Sequence, residues 1–148
     1  MKIEKVTGDP KNYLDLLLLA DEQEDMVDRY LSRGEMFILT EDGSVKAECV
    51  VTKEGQGIYE LKNIAVCPRE QKKGYGKALI EFLFSYYGDC ATLYVGTGDS
   101  PNTVGFYQAC GFTFSHRVPQ FFVEHYDHPI YEDGKQLVDM VYFRCGRP

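Results

Sequence analysis

Between residues 36 and 66, three extended apolar-rich runs are broken by two glycine-bearing turns. Asp42-Gly43 separates Met36 to Thr40 from Val45 to Thr52, and Gly55-Gln56-Gly57 separates that run from Ile58 to Val66. Asp-Gly and Gly-x-Gly accept the positive φ that tight hairpins demand, so this spacing predicts an antiparallel three-strand meander. Helical patterns stand on either side of it. Lys2 to Thr7 alternates weakly as a first strand, and Asp9-Pro10 opens a helix with Leu14, Leu17 and Leu18 on one face. Asp21 to Gln23 interrupts the apolar pattern. A second helix follows, with Met26, Val27, Tyr30 and Leu31 inward and Gly34 as its expected C-cap.

Beyond the meander, Gly74-Tyr75-Gly76 opens a helix to about Tyr87, with Leu79, Phe82, Leu83 and Tyr86 at helical spacing and Gly88 as its stop. Ala91 to Val95 reads as a short buried strand. Ser100-Pro101 starts a helix that carries Val104, Phe106 and Tyr107 and ends near Gly111. Phe112 to His116 begins another strand. Residues 119–129 read as irregular and aromatic, Asp133-Gly134 as a turn, and Leu137 to Arg144 as the last strand. Hairpin-joined strands with inserted helices indicate an α/β (α+β) fold on a mixed sheet. No repeat or linker interrupts the pattern, so residues 1–148 read as one domain.

Composition narrows the function. A chain of 148 residues with 44% apolar content can build a real core. Its net charge of −7, from 16 basic and 23 acidic side chains, argues against nucleic acid as partner, because phosphate binding needs a clustered basic surface. The start shows no apolar signal core, and the longest apolar run, Leu16 to Ala20, is far too short for a membrane span. The five cysteines at 49, 67, 90, 110 and 145 form no CxxC pair, and His116, His125 and His128 add no ligand spacing. The expectation is a cytoplasmic protein with reduced thiols, no metal and no membrane partner.

Chemistry concentrates in Leu61 to Leu79, where a strand ends, a polar loop follows, and two glycines open an amphipathic helix. Free backbone N–H groups at a helix start bind anions, aided by the helix dipole, and glycine lets a phosphate approach without a Cβ in the way. Lys72, Lys73 and Lys77 set three positive charges there in an acidic chain. A nucleotide P-loop needs GxxxxGK[ST], which Gly74-Tyr75-Gly76-Lys77-Ala78 does not supply, and Leu79 occupies the place of the third Rossmann glycine.

Gln71-Lys72-Lys73-Gly74-Tyr75-Gly76 resembles the Q/R-x-x-G-x-G/A signature of the GCN5-related N-acetyltransferase (GNAT) superfamily. Asn63 to Pro68 is similar to that family's fourth strand, and Phe106-Tyr107-Gln108-Ala109-Cys110-Gly111-Phe112 to its second signature. Gly96 to Ser100 and Phe121 to Tyr126 resemble a bacterial subgroup labelled indoleacetic-acid acetyltransferase-like, a label whose substrate is not carried over.

The resemblance implies a mostly antiparallel sheet of seven strands, splayed between the fourth and fifth and flanked by about four helices. It implies acetyl-CoA as co-substrate, with Ile64, Ala65 and Val66 pairing the pantetheine arm through their backbone. Gln71, Lys72, Lys73, Gly74, Tyr75, Gly76 and Lys77 would wrap the pyrophosphate. Ser100 stands where many members carry an asparagine on the cofactor, and Asn102 is its expected substitute. Tyr107 matches the family's tyrosine beside the cofactor sulfur and would protonate the leaving thiolate. Glu60, on the strand leading to the signature, would act as base through a water, although a salt bridge with Lys62 is an equal reading of that pair. A backbone N–H near Val66 would hold the oxyanion.

The acids Asp21, Glu22, Glu24 and Asp25 could hold a cationic amine. Phe121, Phe122, His125 and Tyr126 could wall an acceptor, line a core or bury a homodimer surface. The expected activity is direct transfer of an acetyl group to an amine of a small molecule or protein. The alternative is a non-catalytic acyl-CoA-binding sensor of the same fold.

Overall fold

In the computed structural model, which describes all of Met1 to Pro148, the chain opens on a short strand, β1 (Lys2–Lys5). Asp9 then caps a single 3-10 turn, Pro10–Tyr13, by accepting from the Lys11 backbone N–H at 2.9 Å, and that turn runs into α1 (Leu14–Ala20). After the break come α2 (Glu24–Leu31), β2 (Glu35–Glu41), β3 (Ser44–Gly55), β4 (Ile58–Val66) and α3 (Tyr75–Tyr86). The chain divides into two units, residues 1–90 and 91–148.

In the first unit the strands pair antiparallel in the order β1-β2-β3-β4, as the turns require. At the first turn both Asp42 and Gly43 adopt positive φ (53° and 77°), the geometry that keeps strand twist continuous through a two-residue loop. Met36, Phe37, Ile38 and Leu39 are all buried, because both faces of β2 are covered. On one face Leu17, Val27, Tyr30 and Leu31 pack with Met36 and Val50. On the other, Phe37 meets Phe82, Tyr86 and Tyr87 edge-on at centroid distances of 4.9–6.1 Å, and Tyr59 stacks on Tyr87 at 4.4 Å. Burying a side chain such as Leu17 or Phe37 fully contributes about 1.5–3 kcal/mol.

Gly34 does not cap α2 in the left-handed conformation; the C-cap is Ser32. Glycine is required there by close approach instead. A Cβ at Gly34 would stand 2.8 Å from Val50 Cγ1 and 3.1 Å from the Tyr30 carbonyl oxygen. Gly34→Ala is expected to destabilise the fold by about 1–3 kcal/mol through overpacking, read as a lower urea midpoint at unchanged slope.

The β3–β4 ladder carries a consequential irregularity. Val50 faces Asn63 but Val51 faces Leu61, so Lys62 is an extra residue in β4. Register partners share a face, and a one-residue slip exchanges faces. Glu60, opposite Thr52, is thereby brought to the face that carries Glu48, Val50 and Asn63.

The second unit holds β5 (Thr92–Gly98), α4 (Pro101–Ala109), β6 (Thr113–Val118), α5 (Phe121–His125), a small hairpin of β7 (Tyr131–Glu132) and β8 (Lys135–Gln136), and β9 (Met140–Gly146). Its strands run antiparallel in the order β5-β9-β6. The two units together supply the seven strands of the expected mostly antiparallel α/β fold. Asp133-Gly134 makes the hairpin turn, again with two positive φ values. One expectation is corrected here. Residues 119–129 are not wholly irregular, because Phe121–His125 is helical and Phe122 packs with Ile130 and Leu137. Five residues are too few for a helical period to show in sequence. No helix is long and apolar enough to cross a membrane.

Candidate active site

β4 delivers the chain into the loop that the sequence singled out. Pro68–Glu70 makes one 3-10 turn, and the Gln71 side-chain amide donates back to the Val66 carbonyl at 3.3 Å, tying the loop to the strand end. Lys72 (φ 65°) and Gly74 (φ 89°) are both left-handed, which turns the backbone sharply into α3. Gly74 is the N-cap and offers no side-chain cap. The first helical bond is Ala78 N–H to the Gly74 carbonyl at 3.0 Å, so the N–H groups of Tyr75, Gly76 and Lys77 precede the helical ladder. A Cβ at Gly74 would meet nothing within 4 Å, so the space before the helix start is open on this side.

The three lysines differ. Lys73 pairs with Glu70 at 2.8 Å, and Lys46 from β3 pairs with the same carboxylate at 3.1 Å, which holds Glu70 below the usual carboxylate range. Lys72 and Lys77 enter no ion pair. The Tyr75 hydroxyl donates to Glu41, and that bond pushes the phenol up to about 12. Tyr75 therefore anchors the first turn of α3 to the end of β2 as a neutral donor.

Ile64, Ala65 and Val66 form the last residues of β4, with Ala65 buried and its neighbours half-buried. Glu60 lies earlier on the same strand. Its carboxylate pairs with Lys62 at 2.7 Å, with the two side chains only 13% and 19% exposed, so this is a largely buried pair rather than a solvated one.

A carboxylate that the sequence reading passed over stands on β3. Glu48 is fully buried among Ala47, Cys49, Val50 and Val51, and burial pushes it up to about 8. Its signal in the sequence is an acid set between Ala47 and the apolar run Cys49 to Val51.

In the second unit, Tyr107 is the one buried residue of α4, packed edge-on against Phe106 at 5.1 Å and Phe112 at 5.5 Å. Val104 and Phe106, which the same helix carries, are more exposed. Ser100 is fully buried and donates to Asp133 Oδ2 at 2.7 Å, and Asn102 donates to the same oxygen at 3.1 Å. Both side chains thus tie the start of α4 to the β7–β8 turn. Phe122 and Tyr126, with Ile130 and Leu137, line a cavity of about 230 Å³, whereas Phe121 and His125 lie outside its lining. The acidic cluster in the first unit is largely engaged by its own chain. Glu24 pairs with Lys11 at 2.8 Å, Asp21 accepts from the Tyr30 hydroxyl at 3.1 Å, and Asp25 accepts from Gln23.

A profile of the acetyltransferase (GNAT) domain matches residues 32–114, which include the strand, the glycine loop and the helix bearing Tyr107. The chain belongs to the GNAT family. The N-acetyltransferase is 41% identical over 132 residues to YvbK of Bacillus subtilis, described as an uncharacterized N-acetyltransferase, covering 86% of this chain and 84% of that one. Two solved structures are similar over nearly the full length. An acetyltransferase of Bacillus subtilis in complex with CoA is 36% identical, with 98% of this chain and 97% of that one covered at a TM-score of 0.87. A GNAT family acetyltransferase of Elizabethkingia anophelis with acetyl-CoA bound is 30% identical, with the same coverage and a TM-score of 0.90. An IAA acetyltransferase of Bacillus cereus is 33% identical at 0.88, covering 98% of each chain. In this GNAT enzyme the glycine loop leads into α3 and Tyr107 lies on α4, within the matched residues.

Proposed function

We propose that the protein, acting as one N-acetyltransferase domain over residues 1–148, transfers the acetyl group of acetyl-CoA to a primary amine of a small molecule or protein. Attack is direct, within a ternary complex. The observation that carries this reading is the uncapped start of α3, where three backbone N–H groups, a left-handed glycine and the unpaired Lys72 and Lys77 share one loop. That arrangement suits a pyrophosphate. The relatives crystallised with CoA and with acetyl-CoA support the same ligand here.

Ile64 to Val66 hold the pantetheine arm, a backbone N–H near Val66 takes the oxyanion, and Gln71 to Lys77 hold the phosphates. Ser100 and Asn102 remain in the cofactor set, acting through the α4 start that their bonds to Asp133 fix. Tyr107 returns a proton to the departing thiolate, and Glu60 receives a proton from the acceptor nitrogen through water. Five free cysteines and the bacterial relatives support a bacterial cytoplasmic setting.

The second reading, an acyl-CoA-binding sensor, draws on the Glu60–Lys62 pair, which engages the expected base. Incubation with acetyl-CoA and a panel of amines, followed by free thiol release, separates the two. Amine-dependent thiol release is expected. Tight acetyl-CoA binding with no release on any amine would establish the sensor.

A further inference from the structure

The helix that carries Tyr107 has little apolar anchorage. Of the nine residues of α4 only Tyr107 is buried, so the helix lacks the apolar stripe that would fix it against a sheet. Its placement falls to its ends. At the far end the Phe112 N–H donates to the Tyr107 carbonyl at 3.0 Å, and the two rings meet edge-on at 5.5 Å. At the near end the N-cap is Ser100, whose hydroxyl caps no backbone N–H of the helix. It donates instead to Asp133 Oδ2 at 2.7 Å, and Asn102 Nδ2 donates to the same oxygen at 3.1 Å. The Thr103 hydroxyl donates to the adjoining Glu132.

Both acceptors sit on the β7–β8 hairpin, which is also pinned to the residues just before the helix. Lys135 Nζ donates to the Asp99 carbonyl at 2.8 Å. A Cβ at Gly98 would stand 3.2 Å from Glu132 Oε2 and 2.9 Å from Leu137 Cδ2, so the hairpin uses the space that this glycine leaves. Strands of two residues have little stability of their own, and the bonds that fix α4 fix the hairpin as well. Two carboxylates at the start of a helix also suit the positive end of its dipole.

We propose, on the reading that Tyr107 protonates the departing thiolate, that Asp133 is a positioning residue for that phenol, assisted by Glu132. Together they take the side-chain donors of Ser100, Asn102 and Thr103, and so set the height and rotation of α4. Thr103 stands four residues before Tyr107, on the same helical face. A helical side chain leans over the turn on its N-terminal side, so the turn held by the hairpin is the one beneath the phenol. The helix is only about 14 Å long, and a shift at its start is carried to Tyr107. Misplacing a catalytic group by about 1 Å can cost on the order of 10²-fold in rate. Asp133 acts through the helix and handles no proton itself.

The test measures kcat by thiol release at saturating acetyl-CoA, with the most active amine of the panel, in the whole protein. Residue 133 has a φ of 53°, so Asp133→Gly removes the carboxylate without backbone strain. It is expected to lower kcat at least tenfold. Asp133→Asn, which keeps an oxygen for both donors, should stay within threefold of the wild type. In the Tyr107→Phe background Asp133→Gly should cost less than a further twofold, because the group it places is gone. Thr103→Val keeps the side-chain volume and removes only the donor to Glu132; it repeats the test should Asp133→Gly not fold, with at least a threefold loss expected. Wild-type kcat in the variant used overturns the proposal. So does a loss that persists in full beside Tyr107→Phe, the result a merely structural tie would give. Wild-type kcat in Tyr107→Phe alone would instead bring down the reading of Tyr107 beneath it.

Discussion

Tyr107→Phe is expected to lower kcat about 10²- to 10³-fold while acetyl-CoA affinity stays within a few-fold of the wild type. The variant removes one oxygen and keeps the ring. The edge-on contacts with Phe106 and Phe112 are ring contacts and survive the change. The expected loss of stability is that of one buried hydroxyl, about 1 kcal/mol, too little to unfold the chain. On the proposed role of Tyr107, what disappears is the proton that makes CoA thiolate a better leaving group. The effect should therefore fall on turnover and not on binding. Steady-state kinetics beside calorimetric acetyl-CoA affinity check it, and unchanged kcat would assign Tyr107 to the core alone.

Glu48→Gln is expected to abolish a pH dependence of stability that the wild type shows between about pH 4.5 and 8. The native carboxyl titrates at about 8, raised by burial from an ordinary value of 4.5. Within that window the unfolded chain has released its proton and the native chain has kept it. Stability therefore falls as pH rises, by about 1.4 kcal/mol per pH unit from this group, and the contribution is fully present only below the unfolded value. Glu35, Glu41, Glu54, Glu70 and Asp89 are all shifted the other way by hydrogen-bonding or ionic partners, so their contributions are lost at lower pH, outside the window. Urea midpoints for both proteins at pH 5, 6, 7 and 8 measure the difference. The curves should converge near pH 5 and separate toward pH 8, with the variant the more stable. Parallel curves would show Glu48 ionised in the native state.

The hairpins of the first unit were legible because Asp42-Gly43 and Gly57 declare their own backbone geometry. The inward faces of α1 and α2 were legible because Leu17, Val27 and Tyr30 fall at helical spacing. The glycine loop before α3 was legible for the same local reason: its glycines, lysines and helix start are contiguous, so one stretch of chain holds all its parts. The second unit was less so. α5 is too short to show a period, and Phe106 matches an apolar helical pattern yet is among the exposed large hydrophobics. At Gly34 the sequence suggested a conformational role, and the fold instead imposes a steric one through Val50, sixteen positions away in the chain.

The amino-acid sequence by itself determined the strand–turn pattern, the family and the glycine loop that opens α3, because each is written in residues close together along the chain. Only the tertiary structure decided where the carboxylates of β3 and β4 face and what surrounds them. Lys62 bulges from the ladder and turns Glu60 onto the face of Glu48. Lys62 also takes Glu60 as an ion-pair partner, while Glu48 is fully buried. Strand register and desolvation arise from partners distant in sequence, and those two quantities set where a carboxyl faces and whether it keeps its proton.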